Sequence, residues 1–224
     1  MAPFRALGPD VLTRHRYAVL FFALLATIAI GPLLEALDVG DVAMEALLTL
    51  SLLAAVFPIG VMQRRRVLFG IVALALLLRA FSSQVESAPV SVAGAVLWCL
   101  VAVIAAYGAI RYSLSSVQVD AEHLYAALSA YLLIGVCWGV IYVAVSYVHP
   151  GGLLVGGAPL QHGLGMGDAI YFSFVTLATL GYGDITPATP VVRGLTVFEA
   201  IIGQLYLAIM VARLVSLQTA VQSR

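Results

Sequence analysis

Six apolar runs dominate the chain and restrict it to a membrane fold. They are Tyr17–Leu37, Val42–Met62, Val67–Phe81, Pro89–Ile110, His123–Val148 and Pro190–Leu217. A helix needs ~20 apolar residues to cross a bilayer core, and every run except Val67–Phe81 reaches that length. Hydrophobic residues make up 62% of the chain and charged residues 10%, whereas a soluble domain is about half apolar and a quarter charged. The expected fold class is an all-α membrane protein with six transmembrane helices and a short re-entrant piece between the fifth and sixth.

The charges orient this layout. There is no lysine and no asparagine, so every strong base is an arginine and no N-glycosylation acceptor exists. With the N-terminus inside, Arg5, Arg14, Arg16, Arg64, Arg65, Arg66, Arg111, Arg213 and Arg224 are cytoplasmic, and only Arg79 and Arg193 fall toward the outside. That distribution follows the positive-inside rule. Both termini are expected in the cytoplasm, and the chain in a plasma or inner cell membrane. Arg5, Arg14 and Arg16 ahead of an apolar run also fit a signal peptide, but the run continues past signal length without an obvious cleavage site. The formal net charge is zero, so nothing points to nucleic acid. Cys99 and Cys137 lie inside apolar runs and read as packing residues. His15, His123, His149 and His162 form no metal-binding or catalytic spacing, and no serine has a triad context, so no enzyme is expected.

Between the last two runs lies Thr176-Leu177-Ala178-Thr179-Leu180-Gly181-Tyr182-Gly183-Asp184. It is too short and too rich in glycine to cross a membrane. Backbone carbonyls can replace the water shell of an ion if they all face one axis. An ordinary strand alternates its carbonyls, so an inward row needs unusual dihedrals, which Gly181 and Gly183 permit through φ > 0. The Thr179 hydroxyl adds one more oxygen. The pattern T-x-x-T-x-G-Y-G-D resembles the selectivity-filter signature of the potassium channel family, with Leu180 where many members carry valine.

The resemblance covers roughly the chain from His123 onward, and it implies the following. K+ is coordinated by the backbone carbonyls of Thr179, Leu180, Gly181 and Tyr182, with Gly183 completing the filter. Potassium ions are the only bound species expected, with no cofactor. Leu180 and Tyr182 point away from the axis and pack the loop from behind. Asp184 at the outer mouth concentrates cations or locks the filter by a hydrogen bond. Asp168–Ala178 forms the pore helix with Asp168 as its N-cap, and Tyr171, Phe172 and Thr176 support the filter. Gly203 is a hinge or a close-packing position, with packing preferred. Gln204, Leu207 and Val211 continue one face toward a water-filled cavity. One pore loop per chain cannot enclose an ion, so the resemblance implies a homotetramer in membrane lipid. The domains expected are a cytoplasmic arm at 1–16, a four-helix membrane domain at 17–112, a linker at 113–122, the pore domain at 123–217 and a cytoplasmic tail at 218–224.

Three features stand apart from the filter. Glu199 is an intramembrane acid, costly unless partnered or wet; a hydrogen bond behind the filter, to the pore helix, is one solution. The segment from His149 to Gly167 is rich in glycine and proline and reads as an exposed, mobile loop. The fourth run lacks the arginine row of a voltage sensor, and Arg79 alone reads as snorkelling or as paired with Glu35, Glu45 or Glu86. The expected function is passive, potassium-selective transport without strong voltage gating. The alternatives are a less selective cation channel or a potassium transporter of pore-loop origin.

Overall fold

The computed structural model describes residues 15–35, 46–51, 53–54, 70, 73–74, 88–115, 120–160 and 163–222. In chain order these form α1 (Arg16–Glu35), α2 (Ala88–Ser113), α3 (Ala121–Val148), β1 (Leu153–Val155), β2 (Ala158–Pro159), α4 (Met166–Leu177), β3 (Ile185–Pro187) and α5 (Pro190–Gln222). Residues 46–51 are also helical. Among the described residues three helices are long and apolar enough to cross a membrane, over Val92–Ser113, Ala121–Val148 and Pro190–Arg213, and Arg16–Ile30 is a shorter apolar helix. They coincide with the fourth, fifth, sixth and first expected runs. Most of Val67–Phe81, Arg79 among it, and most of Val42–Met62 lie outside the described residues.

Helix α3 is the hub, packing against α1, α2, α4 and α5. It starts where Asp120 accepts the His123 N–H at 3.0 Å, satisfying an end donor that the helix itself cannot. Its N-terminal end is tied to α1, because the Glu122 carboxylate accepts the Tyr17 N–H at 3.1 Å. Beside it the Tyr112 ring stacks on His123 at 4.6 Å and on Tyr17 at 4.6 Å. The α2–α3 seam is built from buried Ala95, Ala102, Ala105, Ala106 and Ala109 against Ala126 and Ala130. Small side chains let membrane helices approach closely, which is where van der Waals contact is gained when lipid is as apolar as the protein.

The same logic brings α4 onto α3. A Cβ on Gly139 would stand 2.9 Å from the Ile170 Cα, and one on Gly135 would stand 2.5 Å from the Phe174 ring. These two glycines clear a trough in which the re-entrant helix lies.

The segment expected to be a mobile loop is instead a small antiparallel sheet in the order β2-β1-β3. Gly156 and Gly157 have φ of 57° and 82°, and they link the paired residues Val155 and Ala158. Positive φ at both central positions is the tight hairpin turn whose twist suits antiparallel strands. β1 then pairs with β3 from Val155↔Ile185 to Leu153↔Pro187, so the hairpin grips the chain just after Asp184. His149 is the C-cap of α3; His162 lies outside the described residues.

Candidate functional site

The site begins at the end of α4. This helix runs Met166–Leu177 with Gly165 as N-cap and no side-chain cap. The expected N-cap, Asp168, therefore sits inside the first turn, because the helix starts two residues earlier than expected. There its charge still complements the positive helix end. Burial, and next the Asp184 charge, raise its carboxyl above the ordinary value.

Beyond Leu177 the chain folds back on the helix end. The Thr179 N–H donates to Thr176 O at 3.0 Å and the Leu180 N–H to Val175 O at 2.8 Å. The next residues alternate in backbone hand. Thr179, Gly181 and Gly183 have φ of 58°, 60° and 82°, while Leu180 and Tyr182 have negative φ. This alternation turns successive carbonyls toward one side. For glycine it costs little, but Thr179 bears the Cβ penalty of the left-handed region. Among the described residues nothing donates to the carbonyls of Thr179, Leu180, Gly181 or Tyr182. Four such oxygens in series, with Thr179 to Asp184 all exposed, can act chemically only as ligands or be solvated.

At the outer end Tyr171 Oη donates to Asp184 Oδ2 at 2.7 Å. This bond holds the Asp184 carboxyl below its usual range and pushes the Tyr171 hydroxyl up to about 12. The Tyr171 ring also lies parallel to that of Tyr182, 6.4 Å away. Phe172 points elsewhere: it is buried edge-on against Tyr142 of α3 at 4.8 Å. It anchors α4 to α3, on a face about 100° around the helix from that of Tyr171. Leu180 and Tyr182 are 57% and 67% exposed in the single chain, so the packing expected behind them is not supplied by this chain's own core. The hairpin turn closes the outer end, with the Gly156 N–H donating to Asp184 O at 2.8 Å.

At the inner end Gly203 of α5 meets the pore helix. A Cβ there would collide with Leu177 O and lie 2.9 Å from Leu177 Cγ. α5 continues helical through this residue, so the glycine serves close approach. Gln204 Nε2 donates to Thr179 Oγ1 at 3.5 Å, at the base of the filter. Leu207 and Val211 are exposed farther along the helix.

Glu199 is fully buried between α3, α4 and α5. It is held by Tyr142 Oη at 2.6 Å and Ser173 Oγ at 2.6 Å. Tyr142, Ser173, Gly135 and Gly139 had gone unremarked in the sequence. For the glycines a signal was present, because Gly135 and Gly139 form the small-xxx-small spacing of close-packed membrane helices.

Residues 130–219 match a family model described as "Ion channel". Two-pore potassium channel c of Oryza sativa subsp. japonica is 37% identical over 94 residues, which is 42% of this chain and 18% of the relative. Two-pore potassium channel 4 of Arabidopsis thaliana is 45% identical over 49 residues, or 22% of this chain and 17% of the relative. The matched stretches thus span less than a fifth of these relatives. No solved structure matches the chain. The matched residues include α4, the segment after it and most of α3 and α5, so this helix–loop–helix unit is similar to a segment of ion channels, a transport class. The relatives it resembles over this stretch carry the name of potassium channels.

Proposed function

We propose that the chain is one subunit of a homotetrameric channel carrying potassium passively across a cell membrane. The observation that supports this best is the run of unpaired carbonyls at Thr179, Leu180, Gly181 and Tyr182 with alternating backbone hand. Such oxygens replace the hydration shell of a cation in a carbonyl-lined filter. Fourfold repetition around one axis supplies a closed ring, and the apolar face of α5 left uncovered by its own chain, including Val197, Ile201 and Leu205, supplies contact surface between subunits. Gln204 then lies below the filter, facing the cavity, with Leu207 and Val211 beneath it. Both termini are cytoplasmic. The helices before α3 have no arginine row, so conductance rises only shallowly with voltage.

The test is flux through purified protein in liposomes under a potassium gradient, followed by reversal potentials under bi-ionic conditions. Fast, barium-blocked flux with potassium strongly preferred over sodium is expected. Equal permeability of correctly folded protein returns the less selective channel, and slow, saturable flux returns the transporter. Alanine at Gly181 or Gly183 should abolish selectivity or conduction, because a Cβ opposes the positive φ.

A further inference from the structure

The hydrogens around Glu199 do not balance if its side chain is a carboxylate. Ser173 Oγ lies 2.6 Å from Glu199 Oε1 and 2.7 Å from the carbonyl oxygen of Gly135. A serine hydroxyl brings one hydrogen; a backbone carbonyl and a carboxylate bring none. One of the two contacts would then be a pair of oxygens at hydrogen-bond distance with no hydrogen between them. A proton on Oε1 removes the conflict. Glu199 then donates to Ser173, Ser173 donates to Gly135 O, and Tyr142 Oη donates to Oε2 from 2.6 Å. Every polar atom in the chain has its complement.

The surroundings agree. Glu199 is fully buried, and among the described residues no ion pair involves it. The titratable groups near it are Tyr142 and Tyr131, both on α3. A bare carboxylate in a membrane interior without a cation is among the costliest groups a protein can hold.

We infer that Glu199 is a neutral carboxylic acid whose proton completes a hydrogen-bond chain from α5 through Ser173 to Gly135, fixing the pore helix behind the filter. Ser173 is two residues from Val175, whose carbonyl holds the Leu180 N–H. Glu199 is thus a positioning residue for the filter and never touches the ion. The proton itself is independent of the channel reading; only its effect on flux rests on that reading.

Infrared difference spectroscopy of the full chain in bilayers, wild type minus Glu199→Gln, tests the proton directly. A protonated-carboxyl band at neutral pH, lost in the variant, is expected; a difference confined to carboxylate bands overturns the inference. Should Glu199→Gln fail to fold, Ser173→Ala serves instead. Removing the acceptor should shift the same band to higher frequency, and an unmoved band overturns the inference. In flux, the glutamine amide offers a donor and an acceptor where the acid does, so Glu199→Gln should stay within about threefold of wild type. Glu199→Ala should lose at least about tenfold, since it leaves buried polar groups without partners. Equal loss in both variants overturns the positioning role. A protonated band in a protein that passes no potassium supports the proton and sinks the channel reading alone.

Discussion

Helices α3 and α5 are similar in length and hydropathy, yet the chain treats them oppositely. Of the most apolar stretch of each, 61% is buried in α3 and only 17% in α5. α3 is packed on several sides by its own chain. α5 is held along one stripe, through Val192, Glu199 and Gly203, and offers the rest of its surface to something else. Hydrophobicity alone thus separates protein interior from membrane poorly. The small residues mark the difference: glycine where α3 must admit another helix, large aliphatic residues where α5 meets lipid or another subunit.

The same substitution on the two helices should break the comparison most visibly. Gly139→Ala drives a Cβ into the Ile170 backbone and should destabilise the fold by about 3 kcal/mol, the upper range for overpacking. Gly194→Ala on α5 meets open space and should be neutral or stabilising by about 0.5–1 kcal/mol through helix propensity. Thermal melts of both proteins in detergent will show opposite signs if the assignment of faces is right. Ile201→Ala, on the uncovered face, should weaken subunit association by about 2 kcal/mol if the face is buried in the tetramer. Cross-linking against concentration reads this out, and an unchanged oligomer would assign that face to lipid or to the cavity.

Two smaller effects sharpen the picture at the helix ends. Tyr171→Phe removes the 2.7 Å bond to Asp184 and should lower local stability slightly, because water competes for an exposed hydrogen bond, read as faster decay of flux on heating. Asp120→Ala removes the α3 cap and should cost about 1 kcal/mol. The His123 N–H, and next its side chain, hold the Asp120 carboxyl below its ordinary range. A depressed carboxyl contributes stability above its unfolded pKa and loses it as the pH falls through the folded one. The gap between wild type and Asp120→Ala should therefore stay constant from neutral pH down to about 4 and close only below that, in melts across pH.

The membrane class, four of the apolar helices and the positive φ at Gly181 and Gly183 were legible in the sequence, because they rest on composition and on a motif whose glycines have a backbone reason. The start of α4 was misplaced at Asp168 because a capping side chain is a stronger signal than the bare glycine the chain uses. The hairpin was read as a mobile loop because glycine content was weighed without its pattern; two adjacent glycines between Leu153–Val155 and Ala158–Pro159 were a turn signal. Phe172 was grouped with Tyr171 as a filter support; the contact of its ring with Tyr142 of α3, 30 residues away in the chain, had no local signal. The partners of Glu199 come from α3 and α4, 57 and 26 residues away, and no local pattern announces them.

The filter residues are held at both ends by their own chain, inward by Val175 O and Thr176 O and outward by the Gly156 N–H. Only the few residues between these anchors keep independent freedom. On the proposed function, an arriving ion would find its ligands already arrayed, with most of the ordering entropy settled during folding of α4 and the hairpin and not at each binding event. A conducting site must bind and release its ion repeatedly, so a ligand array that need not reorder with each ion favours rapid turnover. On that reading the three short strands would belong to the kinetics of permeation as much as the carbonyls do.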